Sequence, residues 1–259
     1  MQVLTRPWGA LHYAVDGPRD APAVVFANSL GTDLRLWDAV LPFLPGIRAI
    51  RFDKRGHGLS DEGEAAGIAG LAADAAALIE AVAGGPAVFV GLSIGGMIGQ
   101  SLAASRPDLV RALVLSNTAA RMGDAESWKA RIDAVRAGGT AAIADAVLER
   151  WFSPAFLETA ASALWRNMLR RTGTEGYVAA CAAIAAADLT GATAALRLPV
   201  LAIAGELDRA SSPDLVEATA RLIPGAEFHV IAGAGHLPCV ETPARWAALV
   251  APFLSEHAR

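Results

Sequence analysis

The sequence predicts an α/β fold in which a mostly parallel sheet is flanked by helices. Two observations support this prediction. Short apolar runs recur along the chain, and longer stretches with helical spacing separate them. Continuous apolar runs are typical of strands buried on both faces, and alternation of strands with helices favours parallel pairing. The chain of 259 residues is long enough for one such domain.

Eight strands are predicted. The first two form an antiparallel edge hairpin over residues 2–15, which turns at Pro7-Trp8-Gly9. The other six are the apolar runs at residues 23–27, 49–52, 87–90, 112–115, 200–204 and 228–231. Helical faces are indicated by Leu71, Leu78, Ile79 and Val82, and by Trp246, Leu249, Val250, Phe253 and Leu254.

One region interrupts the alternation of strands and helices. Residues 120–195 are Ala-rich and show helical patterns without a convincing strand, with Trp128, Trp151 and Trp165 spaced through them. A helical insertion between two strands explains this pattern. We therefore expect a core of residues 1–119 and 196–259, with residues 120–195 lying over the sheet as a lid.

Composition narrows the function classes. An apolar content of 54% argues against disorder, and a net charge of −4 without basic runs argues against nucleic acid binding. Two cysteines do not make a disulfide framework. Residues 1–6 lack a signal-peptide pattern, and no apolar run approaches the length of a membrane span. We expect a cytoplasmic protein that does not engage membranes; nothing in the sequence points to an oligomeric state.

The strongest local motif is Gly91-Leu92-Ser93-Ile94-Gly95, which follows a predicted strand and precedes a predicted helix. A G-x-S-x-G segment in this context is typical of a nucleophile elbow, a tight turn that lifts the serine hydroxyl clear of the sheet. The alternative to a catalytic role is a Gly-rich turn in which the serine has no function. The flanking strand and helix favour Ser93 as a nucleophile.

A serine nucleophile needs a base, and His236 is the best candidate. It follows the strand at 228–231 in a Gly-rich loop, at the sheet edge where open α/β sheets place their sites. The other four histidines lie in the edge hairpin, in a turn, inside a strand and near the C-terminus: His12, His57, His229 and His257.

The acid that orients the base is expected between the serine and the histidine in chain order. Asp208 follows the strand at 200–204 and is preferred, with Glu206 in reserve. A carboxylate there would hold the imidazole tautomer. Either residue alone also fits an ordinary turn.

Acyl transfer further needs two hydrogen-bond donors for the oxyanion. We predict the backbone N–H groups of Leu30, in the loop after the strand at 23–27, and of Ile94, after the nucleophile. Asn28 and Ser29 are expected to brace the loop through their side chains. The sequence has no metal-ligand spacing, no dinucleotide-binding loop and no Walker loop, and the serine in the elbow argues against displacement of halide by a carboxylate.

Through these residues the chain resembles the α/β-hydrolase superfamily over nearly its whole length, including a turn typical of that family at residues 53–60. Within the superfamily it resembles the 3-oxoadipate enol-lactonases. Asn28-Ser29 stands where most hydrolases of this fold carry His-Gly, which matches the lactonases. The further matches are residues 30–33 with Trp37, and residues 116–121, 146–152, 176–177, 181–184 and 187–189.

The resemblance implies an eight-stranded α/β-hydrolase fold with a helical lid, and hydrolysis of 3-oxoadipate enol-lactone to 3-oxoadipate in the breakdown of aromatic acids, without a cofactor. The family's catalytic pattern carries over at Ser93, Asp208 and His236. Ile94 stands where methionine is common, which leaves its backbone N–H available.

The implied substrate is a small anionic lactone, so the lid should supply a cation or hydrogen-bond donors. Trp128 and Arg131 are three residues apart on a predicted helix and share a face. We predict that the indole N–H and the guanidinium anchor the carboxylate. Arg121, Arg150 and Trp151 are alternatives, although lid packing or a pocket wall fits Trp151 somewhat better.

Two other functions remain open from the sequence. A small-ester carboxylesterase or perhydrolase would carry the same triad and differ only in the lid. A non-catalytic binding protein of the same fold would keep the sheet without reactivity at Ser93.

Overall fold

A sheet of eight strands runs through the centre of the computed structural model, which describes residues 1–258. The spatial order is β1-β2-β4-β3-β5-β6-β7-β8; β1 and β2 pair antiparallel, β2 pairs antiparallel with β4, and the remaining pairs are parallel. The strands are β1 Gln2–Arg6, β2 Gly9–Asp16, β3 Ala23–Ala27, β4 Arg48–Phe52, β5 Ala87–Leu92, β6 Val110–Ser116, β7 Val200–Gly205 and β8 Glu227–Ile231. The predicted fold class and all eight strands are confirmed.

Helices connect the parallel strands. They are α1 Gly67–Leu78, α2 Ile94–Ser105, α3 Ala125–Gly138, α4 Ala144–Trp151, α5 Pro154–Leu157, α6 Ser162–Arg170, α7 Thr174–Ala185, α8 Thr190–Ala194, α9 Pro213–Ala220, α10 Pro238–Glu241 and α11 Pro243–His257. Short 3-10 turns occur at Leu34–Trp37, Leu41–Phe43, Pro107–Leu109 and Thr140–Ile143, and α1 continues into a π-helical turn at Ile79–Ala83. In the described part of the chain, no helix is long and apolar enough to cross a bilayer.

The order of the strands reverses between β3 and β5, which are neighbours in the sheet although β4 lies between them in the chain. Ala27 at the end of β3 pairs with Gly91 in β5. At such a reversal the loops after the two strands diverge and leave a crevice at their carboxyl ends. The loop after β3 and the turn after β5 therefore lie side by side.

Strand β8 differs from the expectation that all apolar runs are buried on both faces. It pairs only with β7 at the edge of the sheet, and Val230 is 46% exposed. By contrast, every residue of β5, in the middle of the sheet, is buried. The prediction of burial was wrong for β8 because the pattern identifies a strand but not its place in the sheet.

Between β6 and β7 the described residues form helices α3 to α8 and no strand, as the pattern predicted. The end of this segment is tied to its start, since Leu189 N–H donates to Ala120 O (2.9 Å), and to the core, since Thr193 Oγ1 donates to Gln100 Oε1 (2.7 Å). The division at residues 119/120 and 195/196 stays a prediction; below, "lid" denotes residues 120–195.

Candidate active site

Ser93 occupies the turn between β5 and α2. Its backbone has φ 57° and ψ −121°, a conformation that costs a non-glycine residue roughly 1–3 kcal/mol and persists only where its surroundings enforce it. The two flanking glycines are needed for space. A Cβ on Gly91 would lie 2.3 Å from Gly95 O, and one on Gly95 would lie 2.0 Å from Ala27 O. The motif thus packs backbone directly against backbone, which holds Ser93 at the carboxyl end of β5.

His236 lies in the loop between β8 and α10, and its Nδ1 is 2.9 Å from Asp208 Oδ2. Both side chains are buried, and His236 lines the same cavity as Ser93. Because an ionised carboxylate only accepts hydrogen bonds, Nδ1 is the protonated nitrogen and Nε2 is left as the basic one. The structure therefore gathers the three residues that the sequence singled out.

The carboxylate of Asp208 accepts hydrogen bonds on both oxygens. Oδ1 accepts from the N–H groups of Ala210 (2.7 Å) and Ser211 (2.9 Å). Oδ2 accepts from Ser211 Oγ (2.7 Å), Asn117 Nδ2 (2.9 Å) and His236. Burial on its own raises the pKa of Asp208. The charge of His236 and these hydrogen bonds lower the pKa by a larger amount, so the net pKa lies below its usual value. Asp208 is held ionised.

Glu206, the reserve candidate for the acid, faces elsewhere. It is exposed, and its Oε2 accepts the N–H of Gly233 at 2.7 Å. Of the two carboxylates after β7, only Asp208 has a hydrogen bond with His236 in the described residues.

Asn117 is a site residue to which the sequence analysis gave no role. It follows β6 with φ 50° and is fully buried. Its orientation is fixed from behind, since Oδ1 accepts from Ser116 Oγ (2.9 Å), which in turn accepts from Trp246 Nε1 (3.2 Å). The amide group is thereby turned so that Nδ2 donates to Asp208. Its position directly after a buried strand, next to the strand that precedes Asp208, was the available signal.

The lid contributes backbone contacts to the loop that carries His236. The N–H of His236 donates to Trp151 O at 2.7 Å. Glu241 bridges the same two segments, because Oε1 accepts from Gly235 N–H (2.7 Å) and Oε2 accepts from Ser153 N–H (3.0 Å). His236 is therefore positioned by the lid as well as by the core.

The two predicted oxyanion donors lie on either side of the crevice. Ile94 is the first residue of α2, so its N–H has no acceptor within the helix. Within residues 1–258 the N–H of Leu30 has no acceptor either, and Leu30 lines the cavity beside Ser93. Both donors are thus available to a bound molecule.

Lys54 and His57 hold the loop that carries Leu30. Lys54 Nζ donates to Ser29 O (2.6 Å), and His57 Nε2 accepts from Gly31 N–H (3.0 Å) while its Nδ1 faces Arg55 O (3.0 Å). These roles require a neutral His57. In agreement, burial and then the charge of Lys54 hold the pKa of His57 well below its usual value.

The loop is braced by only one of the two side chains expected to do so. Asn28 Nδ2 donates to Thr32 O, as predicted. Ser29 Oγ is buried and has no hydrogen-bond partner within residues 1–258, so the prediction was wrong for this side chain. Ser29 instead lines the cavity.

The predicted substrate-binding residues Trp128, Arg131 and Trp151 all line the cavity with Ser93 and His236. The indole N–H of Trp128, however, donates to Met122 O at 2.7 Å, so it is not free to bind a carboxylate as predicted. Its ring instead packs beneath Arg131, with the guanidinium carbon 5.1 Å from the ring centroid. Trp128 thus orients the cation and offers no donor of its own.

Two cations face the cavity, Arg131 from α3 and Arg150 from α4. No carboxylate of residues 1–258 lies within 4.0 Å of either guanidinium. Arg121 differs in both respects: its guanidinium is 3.9 Å from Asp188, and it does not line the cavity. Burial, and next the charge of Arg131, lowers the pKa of Arg150. Among the described residues, no cluster of three His, Cys, Asp or Glu side chains fits a metal ion.

The chain is similar to known proteins over most of its length. Residues 22–243 match the family described as alpha/beta hydrolase fold. The chain belongs to this family. The 3-oxoadipate enol-lactonase 2 of Acinetobacter baylyi is 37% identical over 203 residues, which is 77% of this chain and 76% of that protein.

Two solved structures of the family are similar over nearly their full length. The enol-lactonase from Burkholderia xenovorans superimposes with a TM-score of 0.92 at 37% identity, covering 95% of this chain and 96% of that one. A thermophilic esterase from Thermogutta terrifontis with malate bound also gives a TM-score of 0.92, at 28% identity and with both chains fully covered. The protein is therefore a hydrolase of the α/β family, similar to enol-lactonases and to esterases.

Removing the amide of Asn117 should slow hydrolysis about 10-fold, because a loosened Asp208 orients His236 less well. We expect Asn117→Ala and Asn117→Gly to lower kcat for p-nitrophenyl acetate equally, with little change in KM. The glycine variant removes the side chain without straining the positive φ. Asn167→Ala, on an exposed lid helix, is the control; an unchanged kcat in both Asn117 variants would show that Asp208 needs no such support.

Lys54 should make stability depend on pH. Burial lowers its pKa from 10.5 to about 7, opposed by the charges of Asp53 and Asp33. Between these two pKa values the unfolded chain binds a proton that the folded chain has lost, so rising pH favours folding. We expect the Tm of the wild type minus that of Lys54→Met to increase as pH rises through about 7.

Thermal unfolding followed by circular dichroism between pH 6 and 9 checks this expectation. Lys129→Met removes the other lysine of the chain, which is exposed on α3, and serves as the matched control. A difference in Tm that stays flat with pH would mean that Lys54 stays protonated in the folded protein across the whole range, and would contradict the lowered pKa.

Proposed function

We propose that this hydrolase opens 3-oxoadipate enol-lactone to 3-oxoadipate, in the breakdown of aromatic acids. The observation that carries the proposal is Arg131, a cation without a carboxylate partner in the described residues, packed on Trp128 at the wall of the cavity that holds Ser93. A guanidinium left unpaired beside a nucleophile favours an anionic substrate. The similar enol-lactonases support this substrate, and so does the esterase of similar structure that has malate, a dicarboxylate, bound.

In the proposed mechanism His236 takes the proton of Ser93 as Ser93 Oγ attacks the lactone carbonyl. The oxyanion accepts from the N–H groups of Leu30 and Ile94, while Asp208 stabilises the imidazolium. The ring bond between the acyl carbon and the ring oxygen breaks, and the enol that forms relaxes to the ketone. Water, deprotonated by His236, then releases the acyl group from Ser93.

The chain's residues supply every group that these steps need. The substrate's carboxylate pairs with Arg131, and Arg150 adds positive charge at the same wall. The free energy gained by binding the substrate's carboxylate is used to hold the lactone carbonyl over Ser93. No cofactor takes part in the proposal.

A second candidate is a carboxylesterase for small esters, because esterases of similar structure cover the whole chain. The two functions share the nucleophile and differ in the need for a carboxylate. Side-by-side turnover of the enol-lactone and of p-nitrophenyl acetate separates them, since the proposed lactonase should favour the anionic lactone.

Replacing the nucleophile should abolish turnover. We expect Ser93→Ala to fold normally, to lose activity by several orders of magnitude and to escape labelling by a fluorophosphonate. Intact-mass analysis after labelling is the measurement, and the matched control is Ser101→Ala on the same helix, further from the turn. Labelling of Ser93→Ala at the wild-type rate would place the nucleophile elsewhere.

Removing the cation should affect the anionic substrate selectively. We expect Arg131→Ala to raise KM for the enol-lactone at least 10-fold, with less than about a 2-fold change for p-nitrophenyl acetate, which has no carboxylate to pair. Arg136→Ala, exposed at the end of the same helix, controls for the loss of charge. Equal effects of Arg131→Ala on both substrates would contradict the anchoring role.

A further inference from the structure

Tyr177 is a buried residue at the wall of the cavity. The residue has no exposed surface, it lines the cavity with Ser93 and His236, and its hydroxyl makes no hydrogen bond within residues 1–258. Buried tyrosine hydroxyls are ordinarily paired, because an unpaired polar group costs the fold about 1–3 kcal/mol. A hydroxyl kept unpaired at the wall of an active site is suited to a ligand.

The position of Tyr177 is fixed by close contact between the lid and the core. Gly176 directly precedes Tyr177 in α7. A Cβ on Gly56 would lie only 2.3 Å from the Cα of Gly176, so the backbone of α7 touches the turn after β4. The ring of Tyr177 also packs against the loop that carries Leu30, since a Cβ on Gly31 would lie 3.1 Å from its Cε2. The ring of Tyr177 is therefore held in place beside the loop that carries Leu30.

The hydroxyl of Tyr177 can donate a hydrogen bond, but it has no acceptor within residues 1–258. Burial raises its pKa well above the usual value and outweighs the charge of Arg131, a polar contact with the Arg131 guanidinium too long for a full hydrogen bond, and the charge of Arg150, so the phenol stays protonated. Arg131 lies close enough for its charge to act on Tyr177, but a guanidinium only donates. The phenolic hydrogen thus has no acceptor until a ligand brings one.

The geometry of the lactone indicates which acceptor that is. This step rests on the proposed function. In 3-oxoadipate enol-lactone the carboxylate carbon is separated from the ring oxygen by three bonds. A substrate whose carboxylate pairs with Arg131 therefore carries its ring oxygen, the leaving group, into the neighbourhood of Arg131, where Tyr177 lies.

We propose that Tyr177 Oη donates a hydrogen bond to the ring oxygen as it leaves. Ser93 Oγ forms a bond to the acyl carbon, the bond from that carbon to the ring oxygen breaks, and its electron pair stays on the ring oxygen. The proton that His236 took from Ser93 ends on this oxygen and gives the enol. Tyr177 keeps its own proton and stabilises the charge that develops before the transfer is complete.

The test is the dependence of Tyr177→Phe on the leaving group. Acetate esters of p-nitrophenol, phenol and ethanol share one acyl group and differ in how much help the leaving oxygen needs. We expect kcat/KM of Tyr177→Phe to be within about 3-fold of wild type for p-nitrophenyl acetate, with losses that grow along the series. For the enol-lactone the loss should reach about 100-fold, as for other hydrogen bonds to developing charge.

A second measurement separates this role from a structural one. Because the hydroxyl is unpaired in the fold, Tyr177→Phe should have a Tm equal to or above that of wild type although it is slower. Tyr13→Phe, which alters the only other tyrosine of the chain, in strand β2, is the matched control and should behave as wild type throughout.

Losses that are equal for all three esters, or a lowered Tm with unchanged leaving-group dependence, would overturn the inference. The ester series also keeps the two proposals apart. If wild type cleaves the esters but not the enol-lactone, the proposed substrate is wrong, and the slope for Tyr177→Phe along the series still decides whether Tyr177 assists the leaving oxygen.

Discussion

The strained backbone at Ser93 is the constraint on which the rest of the site depends. The left-handed turn is enforced by direct backbone contact at Gly91 and Gly95 and by the buried strand β5 on which it rests. Its cost of about 1–3 kcal/mol is borne by the packing of the sheet. In return, one short segment places the hydroxyl, the N–H of Ile94 and the start of α2 at the same point of the crevice.

Much of this arrangement could be predicted because it follows from strand ends. Ser93, Asp208 and His236 each come after a parallel strand, in the chain order that the fold requires, and the carboxyl ends of those strands share one edge. Such residues can be found from local patterns alone. The same logic applied to Asn117, which also follows a strand, but an amide has no reactivity that singles it out.

The remaining features depend on three-dimensional contacts that no local pattern carries. Trp128 and Arg131 share a helix face as predicted, yet only the fold shows that Met122 O takes the indole N–H. Likewise Lys54 sits in a recognisable turn, but its contact with the loop of Leu30 joins residues 25 positions apart. Sequence periodicity fixes which residues share an element, whereas hydrogen-bond partners depend on how elements meet.

The bridge from Glu241 to Ser153 and Gly235, together with the bond from His236 to Trp151 O, makes the lid part of the support for His236. This coupling limits how new specificities can arise. Exchange of whole lids between relatives would disturb the position of His236 along with the cavity wall, and if the proposed mechanism holds, chimaeras should be inert for that reason. Stepwise change at cavity-lining side chains such as Arg131, with the stretch from Trp151 to Ser153 left intact, would reshape the cavity without moving His236.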